Sequence, residues 1–230
     1  MEKDHERQGK TTKEVIVLLS GGIDSATCLK LMRRKYNVRA LTFEYQGIAR
    51  KEFEAAGAVA REAGIREHRI VRLPDLKEVS NIGGAVFVGM PPTYIPMRNC
   101  IFYSLAASYA EEVGADLIVG GHNKDDVKTF ADAAPAFFNG LERAFHAGSP
   151  ILRRRRTKII LPLSEKTKVQ VIRLASTLEV PLGLTWSCHK EGRSHCWECD
   201  GCRTRMATFE EAGVVDPLRD EAKRGKFHKQ

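Results

Sequence analysis

The sequence predicts an α/β fold: a doubly wound, parallel five-stranded sheet with a small C-terminal appendage. Three observations predict it. Short β-branched apolar runs alternate along the chain with stretches of helical periodicity. Glycines sit where several of these runs and helices end. The alternation also holds over most of 230 residues, a length that suits one such domain. Strands separated by helices imply βαβ crossovers and hence parallel pairing.

Taken in order, residues 14–19 (EVIVLL) read as a buried strand that stops at Ser20-Gly21-Gly22. Residues 24–35 follow as a helix with Ala26, Leu29 and Met32 on one face. A second strand spans residues 38–43, and a second helix residues 50–63, ended by Gly64. Residues 67–71 give a third strand. Residues 98–113 form a long helix closed by Gly114, and residues 116–119 (DLIV) a fourth strand running into Gly120-Gly121. Residues 158–163 complete the strands and residues 167–178 the helices. Residues 80–94, rich in Gly and Pro, read as a long surface loop, and beyond Trp186 the regular pattern fails. Ligands of open parallel sheets bind beyond the carboxyl ends of the strands, so the turns after Leu19, Phe43 and Val119 are where chemistry is expected.

Charge excludes one class of function. The net charge is +8, with 37 basic and 29 acidic residues, but the excess is confined to residues 153–158 (RRRRTK) and 219–230. The rest of the chain is balanced, so the global basic field of many nucleic-acid binders is absent and direct nucleic-acid contact is not expected. Residues 153–156 read as a solvated loop or edge, with an anion or RNA contact as the alternative. No apolar run reaches the roughly 18 residues needed to span a bilayer, and the polar N-terminus lacks a signal segment. Cytoplasmic residence and no membrane partner are therefore expected.

The turn after the first strand carries the sharpest chemistry. Leu18-Leu19-Ser20-Gly21-Gly22-Ile23-Asp24-Ser25 leads directly into a helix. Glycines let the backbone close on an anion without a Cβ in the way, and the helix start offers free N–H groups at its positive end. Ser20 and Ser25 add hydroxyls, and Asp24 stands where a helix cap or a Mg²⁺ contact is useful. No Lys follows the glycines, so this is not the phosphate loop of kinases and GTPases. A plain capped strand-to-helix turn is the alternative for a bare Gly-Gly. The full S-G-G-x-D-S resembles the PP-loop of the N-type ATP pyrophosphatases.

Four cysteines form the second pattern: Cys188-x7-Cys196-x2-Cys199-x2-Cys202. Two overlapping C-x-x-C units and a fourth thiolate suit one tetrahedral ion with no open position, which describes a structural zinc site. Disulfides are disfavoured without a secretion signal. An iron–sulfur cluster also takes four cysteines, but the ferredoxin spacing is missing. His189 and His195, beside the cluster, read as supporting or surface groups. Cys28 and Cys100 read as small buried residues.

Together these segments resemble the 7-cyano-7-deazaguanine synthase (QueC) family of the PP-loop superfamily, from about residue 15 to 217. Besides the loop, Ile95-Pro96-Met97-Arg98-Asn99 is similar to the family's V-P-x-R-N. Pro162-Leu163 followed by Lys168 is similar to its P-L-x-x-x-x-K, and Thr185-Trp186-Ser187-Cys188 through Cys202 and Arg205 to its zinc segment, with Asp216-Pro217 after it. Two stretches depart from the family. Tyr-Gly-Gln-Arg-His becomes Tyr45-Gln46-Gly47-Ile48-Ala49, and D-x-S-G-Y-P-D-C-R becomes residues 126–134 (DVKTFADAA), without its Cys-Arg pair.

The resemblance implies an adenine nucleotide alpha-hydrolase-like, Rossmann-like fold and a carbon–nitrogen ligase. It would join 7-carboxy-7-deazaguanine and ammonia with ATP, for queuosine or archaeosine in tRNA. ATP and Mg²⁺ would lie on Leu18, Leu19, Ser20, Gly21, Gly22, Ile23, Asp24, Ser25, Ala26, Thr27 and Cys28. Asp24, Ser25, Arg98 and Lys168 would serve the chemistry. Tyr45, Asp126, Phe130 and Asp132 would face the substrate, and Cys188, Cys196, Cys199 and Cys202 would hold one structural Zn²⁺. The implied organisation is a polar tail at 1–13, an ATP-binding domain at 14–184, a zinc subdomain at 185–217 and a basic tail at 218–230, with a homodimer left open. The alternatives are a related PP-loop enzyme that adenylates another acid or a tRNA base, as thiolases do, and a non-enzymatic zinc-ribbon module.

Overall fold

The computed structural model describes residues 12–45, 50–74, 76 and 94–219. The polar tail at 1–11, most of the predicted loop at 80–94 and the basic tail from 220 lie outside the described residues. Five parallel strands form one sheet in the order β3-β2-β1-β4-β5: β1 Glu14–Leu18, β2 Asn37–Tyr45, β3 His68–Leu73, β4 Leu117–Val119 and β5 Lys158–Ile160. Val15–Leu18 is apolar throughout because β1 is central and buried on both faces. Register is set from both sides, with Val17 opposite Ala40 of β2 and Val119 of β4. The chain leaves β1 toward β2 and later returns to β4 on the other side. The carboxyl ends of β1 and β4 therefore open a crevice where the winding reverses.

Helices cover both faces. One face packs α1 (Ile23–Arg33), α2 (Arg50–Glu62) and α7 (Lys168–Thr177) on Val15, Val17 and Val119. The other packs α3 (Arg98–Val113), α5 (Pro135–Gly148) and α6 (Pro150–Arg155) on Ile16, Leu41 and Ile118. The short α4 (Lys124–Val127) lies just beyond β4. The long helix has the bounds expected of it and ends on Gly114 at φ 68°, a left-handed cap.

Three expectations are corrected. Residues 153–156 are neither loop nor edge: Ser149 caps α6, its Oγ accepting from Leu152 N–H, and Arg153, Arg154 and Arg155 form the last turn, where cations oppose the negative helix end. The pattern does not fail after Trp186, because α8 (Asp200–Ala212) follows the cysteines. Its buried stripe is Cys202, Arg205 and Phe209, so a cysteine and an arginine occupy positions where periodicity seeks apolar residues. Cys100 is only half-buried, unlike Cys28.

Arg205 staples α8 to the rest. Its guanidinium pairs with both oxygens of Asp216 at 2.7 and 2.8 Å, and donates to Thr185 Oγ1 and Leu182 O at 3.0 Å each. Arg205 is 3% exposed and Asp216 6%, so each charge depends on the other. Among the described residues no helix is long and apolar enough to cross a membrane.

Candidate active site and metal centre

β1 delivers the chain to Ser20 at the carboxyl edge of the sheet, and α1 begins three residues later. The turn between them is tight for a reason. Gly21 has φ +91°, and a Cβ on it would lie 2.3 Å from the Glu52 carbonyl oxygen and 2.7 Å from Ala56 N. The loop backbone thus packs directly on the first turn of α2. Ser25 Oγ ties the turn from inside, accepting from Ser20 N–H at 3.2 Å and donating to Gly22 O at 3.0 Å. Gly22, not Asp24, is the residue that caps α1. No side chain takes up the helix's first N–H groups through that cap, and Asp24 lies in the first turn.

The β4 loop meets this turn at equally close range. A Cβ on Gly121 would sit 2.9 Å from Ser25 N, and one on Gly120 would overlap the Tyr103 hydroxyl. Beyond them Asn123, fully buried, joins the two loops. Its Nδ2 donates to Asp24 Oδ2 at 3.2 Å, while its Oδ1 accepts from Asp125 and Asp126 N–H at 2.9 and 3.1 Å. Asp126 returns the bond to Asn123 N–H and pairs with Lys168 Nζ at 2.8 Å. Lys168 opens α7, its N–H donating to Asp125 Oδ2. Asp24, Asn123, Asp126 and Lys168 therefore form one connected polar cluster where β1, β4 and α7 converge.

Burial raises the Asp24 carboxyl to about 6, with Lys168 pulling against it. Burial works against the Lys168 charge, but Asp24, Asp126 and Asp125 outweigh it and leave its pKa raised. His122 is pushed down by burial, partly offset by Asp126 and Asp132, so its imidazole is neutral.

Two clefts meet at this cluster and share Asp24 and Asp126. The inner one, about 260 Å³, runs over the sheet edge between α2 and α3. Its wall is aromatic: Phe43 stacks on Phe102 with centroids 4.2 Å apart, and Tyr45 tilts against Phe102 at 5.4 Å. Its polar groups are Arg98, Asn99, Glu52 and His122. Arg98 donates to the Tyr45 hydroxyl at 3.4 Å. The outer cleft, about 670 Å³, lies between the start of α1, Lys168 and α8.

The structure distributes the predicted residues over these clefts. Leu18, Leu19, Ser20, Asp24, Ser25, Tyr45, Arg98 and Asp126 line the inner one, and Gly22, Ile23, Asp24, Asp126, Phe130 and Lys168 the outer one. Gly21, Ala26, Thr27, Cys28 and Asp132 line neither. Ala26, Thr27 and Cys28 are core residues of α1, and the Cys28 thiol faces Gly120 O at 3.6 Å. Sequence reasoning missed Glu52, His122 and Asn123. Asn123 did carry a local signal, since Asn followed three residues on by Asp is a capping box. Glu52 carried one too, as a carboxylate on the stripe that continues with Ala55, Ala56 and Val59.

Replacing Asn123 tests the cluster. We expect Asn123→Ala to lower stability by about 1–3 kcal/mol, by losing a cap and leaving buried groups unpaired. Turnover should fall at least tenfold with substrate KM values little changed, read by thermal melting and product formation. Turnover at the parental rate would show that Asp24 does not need its partner.

The second centre is the cysteine cluster. Sγ atoms of Cys188, Cys196, Cys199 and Cys202 all lie within 4.8 Å of one another. Cys196 and Cys202 are 3.9 Å apart, as are Cys188 and Cys199. Backbone N–H groups point at the sulfurs: Glu198 and Cys199 at Cys196 Sγ, His189 at Cys199 Sγ and Cys196 at Cys188 Sγ, over 3.3–3.5 Å. Such donors stabilise thiolates, so the set is compatible with a metal ion. His195 is buried, accepts from Ser187 N–H through Nε2 and stacks between Trp186 and Trp197, while His189 is exposed. Trp186 N–H donates to Gly21 O, which ties the cysteine segment to the phosphate-type loop.

Residues 14–213 match the family described as queuosine biosynthesis protein QueC. The chain is 36% identical to a 7-cyano-7-deazaguanine synthase of Acetivibrio thermocellus, over 90% of this chain and 97% of that one. It is 37% identical to one of Thermoplasma acidophilum, over 91% and 92%. Among solved structures it is similar in fold to an NMN synthetase from Francisella tularensis, with a TM-score of 0.51, 20% identity and coverage of 93% of this chain and 77% of that one.

Proposed function

The chain belongs to the QueC family of queuosine biosynthesis proteins, and from that premise we propose that it makes 7-cyano-7-deazaguanine from 7-carboxy-7-deazaguanine, ammonia and ATP. The observation that carries this reading is the convergence of Asp24, Asn123, Asp126 and Lys168 at the start of α1, beside an aromatic cleft. A carboxylate is a poor electrophile, because its charge repels nucleophiles and oxide leaves badly. Adenylation removes the charge. The carboxylate oxygen attacks the α-phosphorus of ATP and pyrophosphate leaves. Ammonia then attacks the acyl carbon, AMP leaves and an amide forms. A second ATP is then attacked at its α-phosphorus by the amide oxygen, releasing pyrophosphate; the nitrogen loses its two protons, the C–O bond breaks, and AMP carries the oxygen away to leave the nitrile.

Each part of the chain has a task in that scheme. The loop N–H groups at Gly21–Ser25 and the positive end of α1 cradle phosphate oxygens, and Lys168 supplies a cation beside them. Asp24 and Asp126 are the carboxylates placed to hold Mg²⁺, which would neutralise charge on the departing pyrophosphate. The aromatic cleft suits a flat heterocycle, with Arg98 and Tyr45 on its wall. Asp132 and Phe130 remain candidates for the substrate's far side.

For the four cysteines we infer one structural Zn²⁺. Tetrahedral Zn–S bonds of about 2.3 Å put the sulfurs roughly 3.8 Å apart, close to the spacing found here. A four-iron cluster, whose cysteines each bind a different iron, needs them farther apart.

The test is to supply ATP, Mg²⁺, ammonia and 7-carboxy-7-deazaguanine, then follow pyrophosphate and the nitrile by mass spectrometry. Nitrile formation is expected. If another acid or a tRNA drives pyrophosphate release and no nitrile appears, the adenylation chemistry stands and the synthase assignment fails.

A further inference from the structure

Glu52 is the carboxylate of the inner cleft that the scheme above leaves without a task. It lies in the first turn of α2, and its side chain lines the cleft with Phe43, Tyr45 and Phe102. Among the described residues its carboxylate has no hydrogen-bond or ion-pair partner. The nearby Asp24 and Asp126 both have partners. A half-buried carboxylate against an aromatic wall, with no protein partner among the described residues, is a group that a ligand with N–H donors would satisfy. The backbone carbonyl of Glu52 is pressed against Gly21, so α2 is fixed to the phosphate-type loop at this very residue. The backbone that carries Glu52 is therefore held beside the loop of Asp24 and Ser25. Burial raises the Glu52 carboxyl to about 7, with Arg98 on α3 pulling the other way.

Two N–H donors brought against this carboxyl favour its ionised form, which offers two acceptors side by side and no donor. The partner that satisfies both is an edge with two parallel N–H donors, the pairing by which acidic side chains read amino groups on bases. A 2-aminopyrimidin-4-one ring has such an edge, at its ring N–H and its amino group. Adenine presents a donor beside an acceptor instead, which leaves one carboxylate oxygen facing a lone pair. We propose that Glu52 is the specificity-determining residue of the inner cleft, reading the paired N–H donors of a 2-amino-4-oxo heterocycle that lies against Phe43, Tyr45 and Phe102. The proposal deepens the synthase reading and rests on it for the identity of the ring.

The test compares full-length wild type with Glu52→Gln, whose amide keeps one acceptor but turns a donor toward the ring's N–H groups. Binding of 7-deazaguanine and of 7-deazahypoxanthine, which lacks the amino group, is measured by titration calorimetry. Turnover is measured with the corresponding 7-carboxylic acids. Wild type should prefer the amino compounds on the order of 100-fold, since a site built for an N–H rejects the ligand that lacks it. Glu52→Gln should bring the two within a few-fold of each other, raise KM for the amino acid substrate and leave KM for ATP within about twofold. Above pH 7, where the carboxyl is ionised, its melting temperature should not fall, because an unpartnered charge has been removed. The proposal is overturned if wild type binds both rings equally, if the variant keeps the preference, or if KM for ATP rises while that for the acid does not. Preferential ring binding by wild type, lost in the variant, with no nitrile formed by either, would uphold Glu52 and sink the synthase reading.

Discussion

Asp24→Asn is expected to abolish turnover, lowering kcat by roughly 100- to 10,000-fold, while the protein stays folded. Mutations that remove one electrostatic contact at a transition state cost about 100- to 1,000-fold, and loss of a metal carboxylate adds to that. The fold survives because Asn keeps the size of Asp and can still meet Asn123. Stability should in fact rise slightly near neutral pH. The folded chain raises the Asp24 carboxyl from its ordinary 3.8 to about 6, chiefly by burial. The folded state therefore holds that proton more tightly than the unfolded one. The group's stabilising contribution is fully present below pH 3.8 and is lost as pH rises through about 6, so at pH 7.5 the ionised side chain is a burden that Asn removes. Under the proposed scheme activity runs the opposite way, because only the carboxylate would bind Mg²⁺. At low Mg²⁺, wild-type kcat/KM should drop about tenfold per pH unit below pH 6, and raising Mg²⁺ should move that limb to lower pH. Pyrophosphate release across pH 5–8, with a melting curve at each point, checks both halves. Full activity in Asp24→Asn would remove this residue from the chemistry.

If the four cysteines hold the proposed zinc, removing the ion, or one thiolate by Cys202→Ser, should cause a large loss of stability. Cys202 is fully buried in the first turn of α8, and no described side chain takes its place. Without an ion, four converging sulfurs lose the charge that holds them together. The energy lost is folding energy, because the unfolded chain has no site. A loss of about 5 kcal/mol or more corresponds to roughly 10–20 °C in Tm for a chain of this size. Activity should fail after stability, since the path to the loop runs through Trp186 N–H and Gly21 O. Metal analysis should find one zinc per chain, and a strong chelator should reproduce the fall in Tm. Iron with visible absorbance, or an unchanged Tm in the variant, would contradict a structural zinc.

Local patterns were the easiest to read. The run from Ser20 to Ser25 and the four cysteines are each contiguous or nearly so, and the chemistry they suggest depends on spacing that the chain itself carries. The helix spanning Arg98–Val113 was legible for the same reason, having a turn signal before it and Gly114 after it. The sequence reading missed α5 and α6, in which Phe138 and Leu152 are the buried residues. In α5 the apolar face was present in the sequence, since Phe137, Leu141 and Phe145 pack beside Phe138 against the core. Lys158–Ile160 is shorter than the predicted strand because pairing with β4 stops when β4 itself ends at Val119. Partner length, not apolar content, set that boundary.

The sequence by itself determined the parallel five-stranded sheet, the loop of small and acidic residues after β1 and the set of four thiolates, because each rests on periodicity or short-range spacing. Only the tertiary structure decided which residues share the site. Strand order β3-β2-β1-β4-β5 sets β1 beside β4, so Asn123 reaches Asp24 across 99 positions of sequence and Lys168 reaches Asp126 across 42. It also decided that Ala26, Thr27 and Cys28 belong to the core and that Glu52 belongs to the cleft. The physical reason is that a side chain's role depends on the solvent, charges and walls around it, and those are supplied by elements distant in sequence.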